Sequence, residues 1–216
     1  MNRIDDITAI ILLSLAVIVL LIMGTAEWDK EKHKPINVIV VGDSNVCGGA
    51  FKTKLIKSTP DLNNSGLFSF YGEVGSKIQD IYVPKNNVGY IFITTGINDN
   101  PNKNNKQLIR LELLNMINNI CINNPKSTVI YVLQHKPSNK YFDQWTTLFD
   151  ICNEILTDFK YNDIVLPPNF KFNYGLGILT QYEESKILEA DGLHLNGKGQ
   201  IRFARHILES INRDIK

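Results

Sequence analysis

The sequence predicts an α/β protein whose parallel sheet is covered by helices on both faces. Uninterrupted β-branched and aromatic runs are typical of strands buried on both sides, and they occur at residues 36–41, 90–95 and 128–133. Apolar residues at helical spacing alternate with these runs, over residues 108–120, 141–159 and 201–211. With 216 residues, the chain is long enough for one such domain and a short additional segment.

Residues 1–27 are predicted to be a transmembrane anchor or a signal peptide. Residues 7–26 carry no charge, and their length matches the roughly 20 residues that span a bilayer. This exceeds the roughly 7–15 residues of a signal-peptide core, which favours the anchor. The small residues at 24–26 nevertheless fit a cleavage site, so both interpretations stay open. Residues 28–35 are charged and lack an apolar period, which indicates a linker to a domain at 36–216.

The orientation of this segment in a membrane is not fixed by its flanking charges. Arg3 precedes it, whereas Lys30, Lys32 and Lys34 follow it, and the positive-inside rule therefore does not favour export. An N-terminal span ahead of a complete soluble domain usually serves export, however. We therefore expect an extracytoplasmic domain that is membrane-anchored or secreted.

Within residues 36–216, the pattern predicts further elements between the runs given above. A helix is expected after the first strand, followed by a short strand, one or two helical turns and, late in the chain, another short strand before a long loop. The C-terminal helix is expected to take Asn196 as its N-cap. The helix is predicted at residues 46–57, the first short strand at 67–71 and the helical turns at 76–82. The late strand is predicted at 163–166 and the long loop at 167–188.

Composition excludes several classes of function. The net charge is +1, with 23 basic and 22 acidic residues, so nothing attracts the chain to nucleic acid. Three scattered cysteines are too few for a disulfide framework, and Cys121 and Cys152 lie on predicted apolar helix faces as buried thiols. No Cys/His cluster has zinc spacing, and we expect neither a metal nor a cofactor. The oligomeric state is left open by the sequence.

Three polar motifs lie where predicted strands or helices begin or end. Ser44 follows the first buried strand, and Asn98 follows the strand at 90–95. Asp191 and His194 stand three residues apart just before the C-terminal helix. Because ligands of parallel sheets bind at the carboxyl ends of the strands, Ser44 and Asn98 are expected in one cleft.

These residue types together supply the groups for acyl transfer through a serine. A serine hydroxyl is almost unionised at neutral pH and needs a base, for which His194 is the best candidate. Asp191 can orient the imidazole, while the Ser44 N–H and the Asn98 amide can stabilise an oxyanion. Each motif alone is more often a turn or a helix cap, and only the combination predicts catalysis.

Other patterns in the chain carry less weight. Residues 192–198 fit the start of a phosphate-binding loop, but Gly199 occupies the required Ser/Thr position and no strand precedes them. Neither a Rossmann fingerprint nor the G-x-S-x-G elbow of α/β-hydrolases is present. Of the remaining histidines, His135 follows the strand at 128–133 and could border the cleft, although a turn is the favoured interpretation, and His206 is interpreted as solvated.

In four places the chain resembles the SGNH (GDSL-type) hydrolases, a family of serine esterases and lipases. Residues 42–45, Gly-Asp-Ser-Asn, are similar to the first sequence block, although leucine is commonest where Asn45 stands. Gly75 is similar to the glycine of the second block and Asn98 to the asparagine of the third. Asp191 and His194 match the last block. The resemblance extends over residues 36–211.

The resemblance implies a flavodoxin-like three-layer α/β/α sandwich around a five-stranded parallel sheet. It also implies a metal-free ester hydrolase with Ser44, Asp191 and His194 as catalytic residues. The oxyanion hole would then be formed by Ser44, Gly75 and Asn98. Expected substrates are small acyl or acetyl esters, or an acylated glycan or lipid. Two alternatives remain, namely an acyltransferase that modifies a cell-surface glycan with the same triad, and a non-catalytic binding domain.

Overall fold

A five-stranded parallel sheet forms the centre of the fold. The computed structural model describes residues 37–57, 68–85, 88–133, 135–138, 141–161, 163–173 and 186–215. Within them, the strands lie in the order β2-β1-β3-β4-β5, which is the flavodoxin-like order. The predicted fold class is therefore confirmed for this part of the chain. The strands are β1 (Val38–Gly42), β2 (Phe68–Gly72), β3 (Tyr90–Thr94), β4 (Thr128–Val132) and β5 (Phe170–Asn173).

Helices cover both faces of the sheet. Successive side chains of a strand point to opposite faces, so Ile91 and Ile93 contribute to one core while Tyr90 and Phe92 contribute to the other. The first core is completed by α3 and α4, and the second by α1, α2 and α5. The helices are α1 (Ser44–Cys47), α2 (Gly49–Lys57), α3 (Lys106–Asn123), α4 (Phe142–Lys160) and α5 (Gly197–Ile215).

The end of β1 is held between its two neighbouring strands. Gly42 is paired with Gly72 of β2 and with Thr94 of β3, so the three strands end at the same level. A Cβ atom on Gly42 would lie 2.2 Å from the Thr94 carbonyl oxygen, which leaves room only for glycine. This close approach fixes where the chain leaves the sheet, and therefore where residues 43 and 44 begin.

Two element boundaries differ from the sequence-based expectation. The strand predicted at 163–166 is wrong, since Val165 is exposed and the fifth strand begins at Phe170 instead. β5 pairs only with β4, and such an edge strand alternates apolar and polar residues rather than forming an apolar run. The helix predicted at 46–57 is interrupted at Gly48, where the Gln200 side chain approaches the backbone.

Other local expectations are confirmed. The Asn196 side chain accepts hydrogen bonds from the backbone N–H groups of Lys198 (2.9 Å) and Gly199 (3.1 Å) and thus caps α5. Cys121 and Cys152 are buried thiols in α3 and α4. Residues 1–27 and 28–35 lie outside the described residues. Among the helices of the described ranges, none combines the length and apolar character needed to cross a membrane.

Candidate active site

Ser44 lies at the start of a short helix directly behind β1. Asp43 is the N-cap of α1, and its carboxylate accepts a hydrogen bond from the Asn45 backbone N–H at 3.0 Å. The first backbone N–H groups of a helix have no acceptor within that helix. The N–H of Ser44 is one of these, and both the hydroxyl and the amide of this residue lie at the carboxyl edge of the sheet.

His194 contacts the Ser44 hydroxyl across a separation of 150 positions in the chain. Its Nε2 lies 2.9 Å from the Ser44 Oγ. Its Nδ1 is hydrogen-bonded to the Asp191 carboxylate, which can only accept when ionised. The hydrogen-bond network thus assigns the proton to Nδ1 and leaves the Nε2 lone pair facing the hydroxyl.

Asp191 is held in its ionised form by three hydrogen bonds. The His194 ring is the largest influence, followed by the backbone N–H groups of His194 (3.0 Å) and Leu193 (2.9 Å). These donors lower the pKa of Asp191 to about 2. The side chains of Asp191 and His194 are 46% and 40% exposed, so the pair lies at an open edge rather than in the core.

Gly75 and Asn98 lie on two adjoining loops next to the end of β1. Gly75 is exposed and has a φ of +81°, a conformation that favours glycine. The Asn98 Nδ2 donates a hydrogen bond to the Ser76 carbonyl oxygen at 3.0 Å. Residues 73–76 are tied to β1, because the Ser76 hydroxyl and the Glu73 N–H both donate to the Gly42 carbonyl oxygen, each at 3.3 Å.

Asp99 strengthens the contact between these two loops. Its carboxylate accepts hydrogen bonds from the Ile78 backbone N–H, with its two oxygens 3.1 and 3.3 Å from the nitrogen. Burial raises the pKa of Asp99 to about 6, against an ordinary value of 3.8, although the Ile78 N–H opposes this shift. Neighbouring residues 98 and 99 therefore both hold the loop that carries Gly75.

The structure thus brings Ser44, His194 and Asp191 into direct contact, and the segments that carry Gly75 and Asn98 are hydrogen-bonded to each other and to the end of β1. Two histidines differ from expectation. His135, expected in a turn, is buried, and its Nε2 lies 2.7 Å from the Leu193 carbonyl oxygen. His206, expected to be solvated, is partly buried and contacts the Asn173 side chain at 2.7 Å. Within the described residues, no cluster of three or more His, Cys, Asp or Glu side chains could hold a metal ion.

Known structures share this architecture. A member of the lipolytic G-D-S-L family from Veillonella parvula aligns with a TM-score of 0.58 at 18% identity, covering 82% of this chain and 99% of its own. A carbohydrate esterase of family 3 from Talaromyces cellulolyticus aligns with a TM-score of 0.61 at 17% identity, covering 83% and 98% respectively. An acetyl xylan esterase from Geobacillus stearothermophilus gives 0.57 at 13% identity, covering 82% and 97%.

No protein-family model and no curated protein matches the chain. Fold and site together define a doubly wound α/β protein with serine, histidine and aspartate side chains in line at the carboxyl edge of its sheet. The structural neighbours identify its fold as that of the SGNH (GDSL-type) hydrolases, as the motifs predicted.

The raised pKa of Asp99 leads to a prediction about stability and pH. The folded state binds the Asp99 proton more tightly than the unfolded chain, so the unfolding free energy falls as pH rises from about 4 through about 6. Asp99→Asn keeps an oxygen for the Ile78 N–H but cannot ionise. Its stability relative to the wild type should therefore increase between pH 4 and pH 7, by about 1 kcal/mol after allowance for solvent screening.

Urea unfolding of both proteins at several pH values measures this difference. Asp150→Asn, which removes a carboxylate at an exposed position of α4, is the matched control. If the stability difference between Asp99→Asn and the wild type did not increase over this pH range, the assigned burial effect at Asp99 would be wrong.

Proposed function

We propose that the protein is a serine hydrolase that cleaves carboxylic esters. The observation that carries this proposal is the 2.9 Å contact between the Ser44 Oγ and the His194 Nε2, with Asp191 on the opposite ring nitrogen. A hydroxyl in this contact can transfer its proton to the imidazole as it attacks, since proton transfer needs a heavy-atom separation of about 2.6–3.2 Å. Asp191 stabilises the imidazolium that results.

The reaction proceeds in two halves. The Ser44 oxygen attacks the ester carbonyl, His194 takes its proton, and the C–O bond to the alcohol breaks as His194 returns that proton to the leaving alkoxide. An acyl-Ser44 ester remains. Water then attacks this ester, again giving its proton to His194, and the proton passes to the Ser44 oxygen as the free acid departs.

The negative charge on the tetrahedral intermediate requires donors beside Ser44. In this proposal they are the backbone N–H groups of Ser44 and Gly75 and the side-chain amide of Asn98. An amide nitrogen carries two hydrogens, so the bond from Asn98 to the Ser76 carbonyl oxygen leaves the second available for substrate. That bond also fixes the direction in which the amide points.

Small acyl or acetyl esters are the substrates that we propose. The structural neighbours include proteins described as a carbohydrate esterase and an acetyl xylan esterase, which supports acylated sugars. A cavity of about 250 Å³ lies beside the Gly75 loop and is lined in part by Tyr71, Glu73, Asp80 and Tyr82. Phenol rings and carboxylates of this kind can contact the faces and hydroxyls of a small sugar.

Replacing the proposed nucleophile should abolish turnover while leaving the fold intact. Ser44→Ala is expected to lower kcat by at least about a thousandfold, because the oxyanion donors alone leave only residual catalysis. Hydrolysis of p-nitrophenyl acetate by the full-length chain measures this, with circular dichroism to verify the fold. Ser69→Ala, at an exposed position of β2, is the control. Turnover near the wild-type level in Ser44→Ala would remove Ser44 from the mechanism.

The proposal of small acyl esters generates a second expectation for the same enzyme. Across p-nitrophenyl esters from acetate to palmitate, kcat/KM should be highest for the shortest acyl chains and should fall at least about tenfold by octanoate. A loss of roughly 1.4 kcal/mol of transition-state binding is enough for a tenfold fall in kcat/KM. A maximum at palmitate would contradict the proposal of small acyl esters and would favour a lipid substrate.

We further propose that residues 1–27 attach the domain to a membrane, because residues 7–26 are uncharged over a length that spans a bilayer. The full-length chain should sediment with membranes and resist extraction by alkaline carbonate, whereas a chain that begins at residue 28 should not. Recovery of the full-length chain, with its N-terminus intact, in the carbonate supernatant would contradict this proposal.

A further inference from the structure

The backbone on both sides of His194 is hydrogen-bonded to a side chain from another part of the chain. The Leu193 carbonyl oxygen lies 2.7 Å from the Nε2 of His135, and the Leu195 N–H donates to the Oδ1 of Asn45 at 3.3 Å. His135 and Asn45 are only 3% and 6% exposed. Water therefore has little access to either contact and cannot easily replace a partner that is lost.

His135 acts as a hydrogen-bond donor in this arrangement. Burial lowers the pKa of His135 to about 4, so the ring is neutral at pH 7 and carries a single proton. A carbonyl oxygen can only accept, and that proton must therefore be on the Nε2 that faces Leu193. The neighbouring backbone is held as well, because the Ser138 N–H donates to the Gly192 carbonyl oxygen at 2.7 Å.

Asn45 accepts the hydrogen bond from the Leu195 N–H, and Asp43 fixes the orientation of its side chain. Both its backbone N–H and its Nδ2 point to the Oδ1 of Asp43, at 3.0 and 3.4 Å, which turns its own Oδ1 towards Leu195. Leucine, the commonest residue at this position of the motif, has no atom that could accept this bond. Asn45 also directly follows Ser44, so the helix that carries the hydroxyl holds the backbone that carries the imidazole.

The Asp191–His194 pair is itself solvent-exposed, and the buried contacts add to the local hydrogen bond from the Glu189 N–H to the His194 carbonyl oxygen at 2.8 Å. Ion pairs and hydrogen bonds at exposed positions contribute about 1 kcal/mol or less and do not fix a loop on their own. A displacement of about 1 Å between reacting groups can cost about a hundredfold in rate. The buried contacts at residues 193 and 195 are therefore well suited to hold the imidazole at 2.9 Å from the hydroxyl.

We infer that Asn45 and His135 are positioning residues for His194, holding the peptide units on either side of it so that its Nε2 stays within reach of Ser44. This inference rests on the proposed esterase function. Their side-chain hydrogen bonds go to residues 43, 193 and 195 rather than to the Ser44 hydroxyl or the His194 ring, so both act through the geometry of residues 193–195. A loss of either contact should lower kcat, whereas KM should change little because the binding surface for substrate is retained.

The test compares full-length variants of the two positions. Asn45→Leu and His135→Phe remove the acceptor and the donor while keeping a similar side-chain shape, and each should lower kcat for p-nitrophenyl acetate by about 10- to 100-fold with KM within about twofold. His135→Gln retains an N–H donor and should recover most of the lost kcat. Hydrogen exchange at the Leu195 amide, measured by NMR, should be faster in Asn45→Leu, because this amide has lost its acceptor.

Matched controls separate positioning from a general loss of stability. Asn169→Leu removes side-chain hydrogen bonds to the carbonyl oxygens of residues 124 and 127, at the opposite end of the sheet. His206→Phe removes the contact with Asn173. Both should destabilise the fold without changing kcat. Wild-type kcat in Asn45→Leu and His135→Phe, or an equal loss of kcat in the controls, would overturn the inference.

Failure of the proposed function has a different signature. A wild-type protein without Ser44-dependent turnover would refute the esterase proposal itself. The amide exchange of Leu195 does not depend on activity, and an unchanged exchange rate in Asn45→Leu would overturn the positioning role in that case too.

Discussion

The arrangement of the site depends on one contact, that between the Ser44 hydroxyl and the imidazole of His194, two groups that lie 150 positions apart in the chain. Neither residue lies in a long helix or strand that would fix its position on its own. Ser44 is positioned by the buried end of β1, where Gly42 fits against Thr94 with no room for a side chain. His194 lies in an irregular segment before α5, and the peptide units on either side of it are hydrogen-bonded to His135 and Asn45 from elsewhere in the fold.

Around this contact, the side chain that carries a charge is exposed, and a different side chain, which is neutral, is buried. Asp191, the acid beside the imidazole, is half exposed and has its pKa lowered by donors, so it is ionised throughout the neutral range. His135 is buried and neutral, and can therefore donate one hydrogen bond without the cost of burying a charge. Asp99 is partly buried, and this burial raises its pKa. The groups that need a charge for the proposed reaction thus remain close to water, whereas those that hold the backbone are buried.

The sequence predicted the features that leave a local signal. β1, β3 and β4 are buried on both faces and therefore appear as continuous apolar runs, and the motifs at their ends identified Ser44 and Asn98. β5 was missed because an edge strand lacks such a run and follows two prolines. The sequence marks Asn45 only as a departure from leucine, and for His135 it favours a turn over a place at the border of the cleft. Their contacts with Leu195 and Leu193 join residues 150 and 58 positions apart, and no local pattern encodes them.

Activation of Ser44 by His194 can be measured by covalent labelling of the full-length protein with a fluorophosphonate, followed by peptide mass mapping. We expect one adduct, on Ser44, and a labelling rate that falls by at least about a hundredfold when His194 is replaced by alanine, because the hydroxyl would lose the base that activates it. An unlabelled Ser44 in a protein that hydrolyses esters, or labelling that proceeds equally fast without His194, would contradict this activation.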